Sequence, residues 1–193
     1  MLKVAALVNW GLGLEVVRTL HDCSDVALDF LVTRFDDASK DPWRNRVRDF
    51  AEEKGYEVRH EGEIDFQELR NLLLTRDVDV MICHAYMKII PREVFDAPRL
   101  KSVNIHASLL PKYRGGSPHL AVLESGDRES GLTCHYIDEG LDTGEIIHQV
   151  KFDLEEGETI ESLLEKQKKV VGPLVLELVR RLLSPGFHPT ARD

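Results

Sequence analysis

The chain has 193 residues, with 34 acidic against 25 basic side chains and a formal charge of −9. That length suits one domain able to bury a core without disulfides or metals, and 42% apolar with 31% charged residues is a globular balance. The acidic surplus argues against an electrostatic nucleic-acid or anionic-membrane binder, because both need a basic surface.

Cys23, Cys83 and Cys134 stand far apart with no CxxC pair, which reads as free thiols in small core positions and a reducing compartment. The apolar start Met1–Val8 is too short for a signal peptide, and no stretch approaches the roughly 20 apolar residues of a membrane helix. A cytoplasmic protein is expected, and a homodimer is compatible with these features.

Strands and helices alternate along the chain. Val4–Val8 reads as a buried strand ending at the turn Asn9-Trp10-Gly11-Leu12-Gly13, after which Leu14, Val17 and Leu20 recur at near-helical spacing. Val26–Val32 is a second strand. Asp36–Asp41 is a polar loop, and Pro42 opens a helix that runs to about Glu53 and stops at Gly55. Tyr56–Val58 is a short extended piece, Phe66–Leu74 a helix, Val78–Cys83 a buried strand and Ser102–His106 the next. A loop with Pro111, Gly115 and Gly116 leads to a helix over Pro118–Glu124, and Leu132–Ile137 and Glu145–Val150 are strands around a Gly-flanked acidic turn.

The last element is amphipathic from Ile160 to Leu182. Gly172-Pro173 interrupts it, and an interior proline costs about 3 kcal/mol, so a kink or two helices is expected. The tail 184–193, with two prolines and a glycine, is expected to be loosely held. The order implies a single three-layer α/β domain over residues 1–193, with a mostly parallel sheet and helices on both faces.

In open parallel sheets ligands bind beyond the carboxyl ends of the strands. Asn104-Ile105-His106 sits at such an end, and positions i and i+2 of a strand share a face. An amide and an imidazole aimed at one volume can donate to a developing oxyanion, and the imidazole can exchange protons near neutral pH. By itself the pair reads equally as an amide satisfying loop backbone beside a buried ring. Asp142, on the turn between Gly140 and Gly144, would raise the pKa of His106 if brought near it; alone it reads as a solvated turn.

Taken together, Val103-Asn104-Ile105-His106-Ala107-Ser108-Leu109-Leu110-Pro111-Lys112-Tyr113-Arg114-Gly115 and Gly140-Leu141-Asp142-Thr143-Gly144 closely resemble the 10-formyltetrahydrofolate-dependent formyltransferases. Ala85-Tyr86-Met87-Lys88-Ile89-Ile90-Pro91 is similar to the family's pterin-pocket loop. The resemblance implies a Rossmann-like formyltransferase fold with 10-formyltetrahydrofolate as co-substrate and no metal. It assigns Asn104, His106 and Asp142 as the catalytic trio: Asn104 and His106 stabilise the oxyanion, and Asp142 keeps His106 protonated and assists proton transfer. It also implies that Tyr86, Met87, Lys88, Ile90, Asp138 and Glu139 line the folate pocket.

The acceptor is implied to be a primary amine on a small molecule, amino sugar or amino-acid-like, contacted by Trp10, Gly11, Gly13, Lys112 and Arg114. Methionyl-tRNA formyltransferases resemble the chain at Tyr113–Pro118 but carry a further nucleic-acid-binding domain, and the charge here is wrong for tRNA. Glycinamide ribonucleotide formyltransferases match the size, yet Asn9–Leu14 keeps the glycines and lacks the serine and asparagine that follow them in that family's phosphate loop. Trp10 offers a flat face for a ring or packs at the turn. Lys112 and Arg114 hold an acceptor anion or anchor their loop against Asp138 and Glu139.

A folate- or nucleotide-binding module without activity is the competing class. Gly11-x-Gly13 fails as a dinucleotide fingerprint because Val16 stands where a third small residue belongs. One Asp-Thr-Gly triplet cannot supply an aspartic-protease dyad. The histidines show no zinc-ligand spacing; His84, at a strand end, and His119 are the two that merit checking.

Overall fold

The computed structural model describes residues 1–35 and 45–185. Its elements are β1 (Leu2–Val8), α1 (Trp10–Asp22), β2 (Val26–Thr33), α2 (Arg46–Glu53), β3 (Glu57–His60), α3 (Phe66–Thr75), β4 (Val80–His84), α4 (Arg92–Phe95), β5 (Ser102–His106), α5 (Pro118–Ser125), β6 (Glu129–Tyr136), β7 (Ile146–Asp153) and α6 (Ile160–Leu183). They form one sheet in the order β3-β2-β1-β4-β5-β6-β7. The first five strands in sequence pair in parallel, whereas β6 pairs antiparallel with β5 and β7. The expected three-layer, mostly parallel α/β architecture is therefore present.

The layers follow from alternation along the strands. In β1, Val4, Ala6 and Val8 face a core shared with α1 and α6, while Ala5 and Leu7 face a second core with α3 and α4. A strand buried on both faces reads as a continuous apolar run, as this one does. Order reverses between β1 and β4, the strands on either side of the topological switch. The crevice beyond their carboxyl ends is where such a sheet binds ligands.

One buried amide ties the strand ends at that crevice. Asn9 donates through Nδ2 to Glu61 Oε2 at 2.7 Å and to the Ala85 carbonyl at 2.8 Å. Its Oδ1 accepts from the Arg34 N–H at 2.7 Å and the Thr33 hydroxyl at 3.2 Å. The ends of β1, β2, β3 and β4 are thus locked through a single side chain. Asn9 makes no cap bond to α1, so it serves the sheet and not the helix.

Several expectations are corrected. The turn after β1 is shorter than the sequence suggests: α1 already begins at Trp10, and Gly11 to Gly13 belong to its first turn. Gly13 is buried, and a Cβ there would lie 3.1 Å from Val8 Cβ, so its role is close packing of α1 on β1. α6 is one uninterrupted helix through Pro173, not two. Pro173 and Lys169, whose carbonyl loses its helical partner, are both exposed, on the side of the helix where solvent makes such a loss least costly. Gly172 meets Thr19 of α1 at 3.5 Å, and the burial of Val171, Leu174, Val175 and Leu178 holds the helix through the break.

The short α4 has too few residues to show a period. Asp36–Asp41, Pro42 and residues 186–193 of the tail lie outside the described residues. No helix among the described residues is long and apolar enough to cross a membrane. The three cysteines are free, and burial pushes the Cys83 and Cys134 thiols well above their ordinary range, which fits the core reading.

Candidate active site

Asn104 and His106 project from the same face of β5, and the antiparallel partner β6 sets His135 opposite Asn104 and Thr133 opposite His106. Thr133 then pins the loop that follows β5. Its hydroxyl donates to the Ser108 carbonyl at 2.6 Å and accepts from the Leu110 N–H at 3.1 Å and from Gln149 Nε2 at 2.8 Å. The loop returns over the strand end so that the Tyr113 carbonyl accepts from His106 Nε2 at 2.8 Å. The turn after β6 delivers Asp142 to the same place. Its Oδ2 accepts from the Gly115 N–H at 2.8 Å and lies 3.4 Å from His106 Nδ1. Its Oδ1 lies 3.3 Å from Asn104 Nδ2 and 3.5 Å from His135 Nε2.

The backbone is held under tension around this cluster. Trp10, Ala85, Tyr113 and Asp142 have φ of 59°, 52°, 58° and 51°, in the left-handed region that costs a non-glycine residue roughly 1–2 kcal/mol. Strain of this kind is retained where the surroundings over-determine the chain, and it concentrates at functional sites.

Burial and charge compete here. Burial alone would raise the Asp142 carboxyl, but the His135 ring, the Gly115 N–H and the two neighbouring imidazoles hold it below the usual carboxylate range. For His106 the balance falls the other way. Burial pulls the imidazole below its ordinary range despite the opposing pull of Asp142 and the Tyr113 carbonyl. The expected upward shift of His106 is thus reversed: it is neutral near pH 7, with a carboxylate beside it to favour protonation once chemistry begins.

Asn104, His106 and Asp142 line one cavity of about 310 Å³ with Trp10, Tyr86, Met87, Lys88, Ile90 and Asp138. A second hollow between Leu109–Tyr113 and Asp127–Ser130 contains none of the three. Trp10 is 44% exposed at the cavity and Met87 52%, an apolar rim beside a polar floor. Lys88 turns its ammonium to the Ile64 carbonyl at 3.1 Å and sits 6.0 Å from the centre of the Phe66 ring. Asp138 accepts from Thr143 Oγ1 at 2.6 Å and from the Gly140 N–H at 3.1 Å, which folds the turn that carries Asp142.

The remaining candidates stand apart from the cavity. Gly11 and Gly13 lie in α1 and are not among its walls. Glu139 pairs with Arg92 at 3.0 Å on the surface. Lys112 pairs with Asp127 at 2.7 Å, neither with Asp138 nor with Glu139. Arg114 is exposed.

His84 and His119 both line the cavity, as does His135, which the sequence does not single out. His84 Nδ1 donates to the Ile105 carbonyl at 2.8 Å, and complete burial lowers its pKa to about 4. The folded protein therefore keeps His84 neutral while the unfolded chain takes up a proton near pH 6.5. The stability this contributes is present above pH 6.5 and is lost as pH falls towards 4, up to about 3 kcal/mol at 1.36 kcal/mol per pKa unit. Urea unfolding at pH 7 and pH 4.5 checks this: His84→Gln should flatten the decline, and an unchanged slope would refute the assignment.

A family model described as formyl transferase matches residues 18–178 of this chain. The chain belongs to the formyl transferase family. A methionyl-tRNA formyltransferase of Macrococcus caseolyticus is 33% identical over 199 residues, covering 100% of this chain and 63% of that protein. One from Bacillus cytotoxicus is 35% identical over 144 residues, covering 74% of this chain and 46% of the relative. This formyl transferase chain thus spans between 46% and 63% of the length of those two curated relatives. Among solved structures, the phosphoribosylglycinamide formyltransferase from Streptococcus pneumoniae superposes with a TM-score of 0.80 at 25% identity, covering 95% of this chain and 100% of that one. The Rossmann-like fold expected from the sequence is that of the family.

Proposed function

We propose that this chain transfers a formyl group from 10-formyltetrahydrofolate to a primary amine of a small-molecule acceptor, amino sugar or amino-acid-like. The observation that carries the reading is the convergence of Asn104, His106 and Asp142 in one cavity that the Tyr86–Ile90 loop also lines. In the transfer, the acceptor nitrogen attacks the formyl carbon and a C–N bond forms. The bond from that carbon to the donor nitrogen breaks, and the proton lost by the amine ends on the leaving nitrogen.

His106 begins neutral and can take that proton. As an imidazolium beside Asp142 it stabilises negative charge on the formyl oxygen and returns the proton to the leaving nitrogen. Asp142 supports this through its charge, since 3.4 Å from Nδ1 is beyond a good hydrogen bond. Tyr86, Met87 and Ile90 give the donor ring an apolar surface in the cavity that Asp138 also lines. On the acceptor side the first turn of α1 presents an indole and buried leucines, with no hydroxyl or amide side chain. That supports a ring-bearing acceptor over a phosphoribosyl one. The superposition on the Streptococcus pneumoniae phosphoribosylglycinamide formyltransferase supports glycinamide ribonucleotide as the alternative acceptor.

Calorimetric titration with a hydrolysis-stable 10-formylfolate analogue tests the donor. Micromolar binding, about −8 kcal/mol, is the expected result, followed by amine-dependent release of tetrahydrofolate in a screen that includes glycinamide ribonucleotide. Absence of binding overturns the reading. Binding without turnover on any amine leaves a silent folate-binding module.

A further inference from the structure

The cavity reaches both faces of the sheet. Tyr86, Ile90 and Ile137 pack in the core shared with α3 and α4, and Cys83 of that core stands in register beside Asn104. His84 takes the opposite face, as the next residue of a strand must. Its register partner is Val8, which faces α1 and α6. The His84 ring lines the cavity from there, on the side of Trp10 at the start of α1 and away from the face that carries Asn104 and His106. Nδ1 lies 2.8 Å from the Ile105 carbonyl, an acceptor only, so Nδ1 carries the hydrogen and Nε2 of the neutral ring keeps a lone pair. No donor among the described residues reaches that nitrogen. Nor is it sealed in: among the described residues the enclosed side-chain atoms without a partner are the hydroxyls of Tyr86, Ser130 and Tyr136, so Nε2 opens into the cavity. His119 adds a ring on this side. Gln167 of α6 is fully buried, donates to the Ala107 carbonyl at 3.2 Å and accepts from His119 Nε2 at 2.8 Å. In the neutral His119 ring the lone pair is then on Nδ1.

We infer that His84 is a specificity-determining residue of the acceptor subsite, its Nε2 accepting a hydrogen bond from a hydroxyl of the acceptor. This rests on the formyl-transfer reading and deepens it. The reacting nitrogen lies by His106 on the other face, so the group that meets His84 belongs to the body of the acceptor. Burial, with His119 and His106 nearby, keeps the His84 ring uncharged at pH 7. A bare lone pair there takes a hydroxyl and repels a carboxylate or phosphate oxygen, which has no proton to share. The exposed Trp10 indole gives the carbons of such an acceptor an apolar surface. The acceptor is thereby narrowed to a hydroxylated ring amine, an amino sugar in preference to an amino-acid-like one. A site that receives a hydroxyl rejects the analogue lacking it, because its own polar atom is then left unpaired.

Two variants separate the two ends of the ring. Asparagine puts an amide nitrogen in the place of Nδ1 and keeps the bond to the Ile105 carbonyl, with nothing in the place of Nε2. Glutamine brings its amide oxygen to the place of Nε2 and gives up the Ile105 bond. Glucosamine is the probe, and cyclohexylamine, a ring amine without hydroxyls, is its reference. The parent should favour glucosamine in kcat/KM by at least about tenfold. His84→Asn should raise KM for glucosamine roughly tenfold and erase most of that preference, with kcat and the donor KM within about threefold. His84→Gln should hold KM for glucosamine within about threefold of the parent. A merely structural role, exerted through the Ile105 bond, predicts the reverse order of the two variants. Equal use of the two amines by the parent overturns the inference, as does an asparagine variant with parental KM or a glutamine variant worse than asparagine. A parent that binds no 10-formylfolate analogue, or formylates no amine, overturns the functional reading and the subsite together. A parent active on other amines without preference for glucosamine overturns the hydroxyl subsite alone.

Discussion

Asp142→Asn is expected to reduce turnover by roughly 10²- to 10⁴-fold, the span that a positioned acid–base group supplies, while folate-analogue affinity stays within about tenfold, or 1.4 kcal/mol. Asparagine is the informative replacement because it accepts the left-handed backbone at φ 51° and keeps an oxygen for the Gly115 N–H. What it removes is the charge. That charge pulls the His106 pKa upward against burial, so its loss leaves an imidazole harder to protonate and poorer at carrying the amine's proton. His106→Ala should be at least as damaging, and the two changes together little worse than the worse single one, since the groups act as a unit. Steady-state turnover with calorimetric donor binding checks the split. Near-parental turnover in either variant would sink the assigned trio, and lost donor affinity with intact chemistry would move Asp142 to the folate pocket.

What could be read from the sequence was local. β5 was bounded at Ser102 and His106 because an apolar alternation ends there in a polar pair and a proline-containing loop. β1, β2 and β4 were visible as apolar runs closed by turn residues. Asn104 and His106 share a face by the period of a strand, which needs no tertiary information. Asp142 joined them only through resemblance, because nothing in an acidic glycine-flanked turn says which strand end it approaches.

The rest required pairings between distant segments. His135 faces Asn104 because β6 runs antiparallel to β5 in a register that brings residues 31 positions apart together. No window along the chain encodes that register. Asn9 read as a turn residue, and its actual task, joining four strand ends, depends on Glu61 and Ala85 arriving beside it. The alternative of two helices at Gly172-Pro173 is overturned for a similar reason. Propensity prices the proline locally, whereas burial along 24 residues against α1 and the sheet decides the outcome. Lys112 reads along the sequence as an anion holder or a loop anchor, and its partner, Asp127 in the turn before β6, is fixed only by the fold.

Gly144→Ala is expected to destabilise the fold by about 3 kcal/mol or more, the scale of a forced backbone displacement in a packed site. A Cβ at Gly144 would stand 1.7 Å from the Tyr136 carbonyl oxygen and 2.7 Å from its carbon. No rotamer can relieve a clash with main chain. The Tyr136 N–H is bonded to the Glu145 carbonyl at 2.9 Å, so the two segments cannot separate without losing that bond. The Tyr136 carbonyl also holds His135 Nδ1, so displacement passes directly to the ring beside Asn104 and to the turn carrying Asp142.

Gly140→Ala makes the control. There the added Cβ meets only the Thr143 side chain, with Oγ1 at 2.0 Å. Rotation of that side chain relieves the contact at the cost of its bond to Asp138, about 1 kcal/mol. Urea midpoints for the two variants should therefore separate clearly, with Gly144→Ala the lower. The double variant Gly140→Ala with Thr143→Ala should cost little more than Gly140→Ala alone, because the bond is already gone. A Gly144→Ala protein with the parental midpoint would mean that β6 and the following turn approach less closely than described, and the placement of Asp142 beside His106 would fail with it.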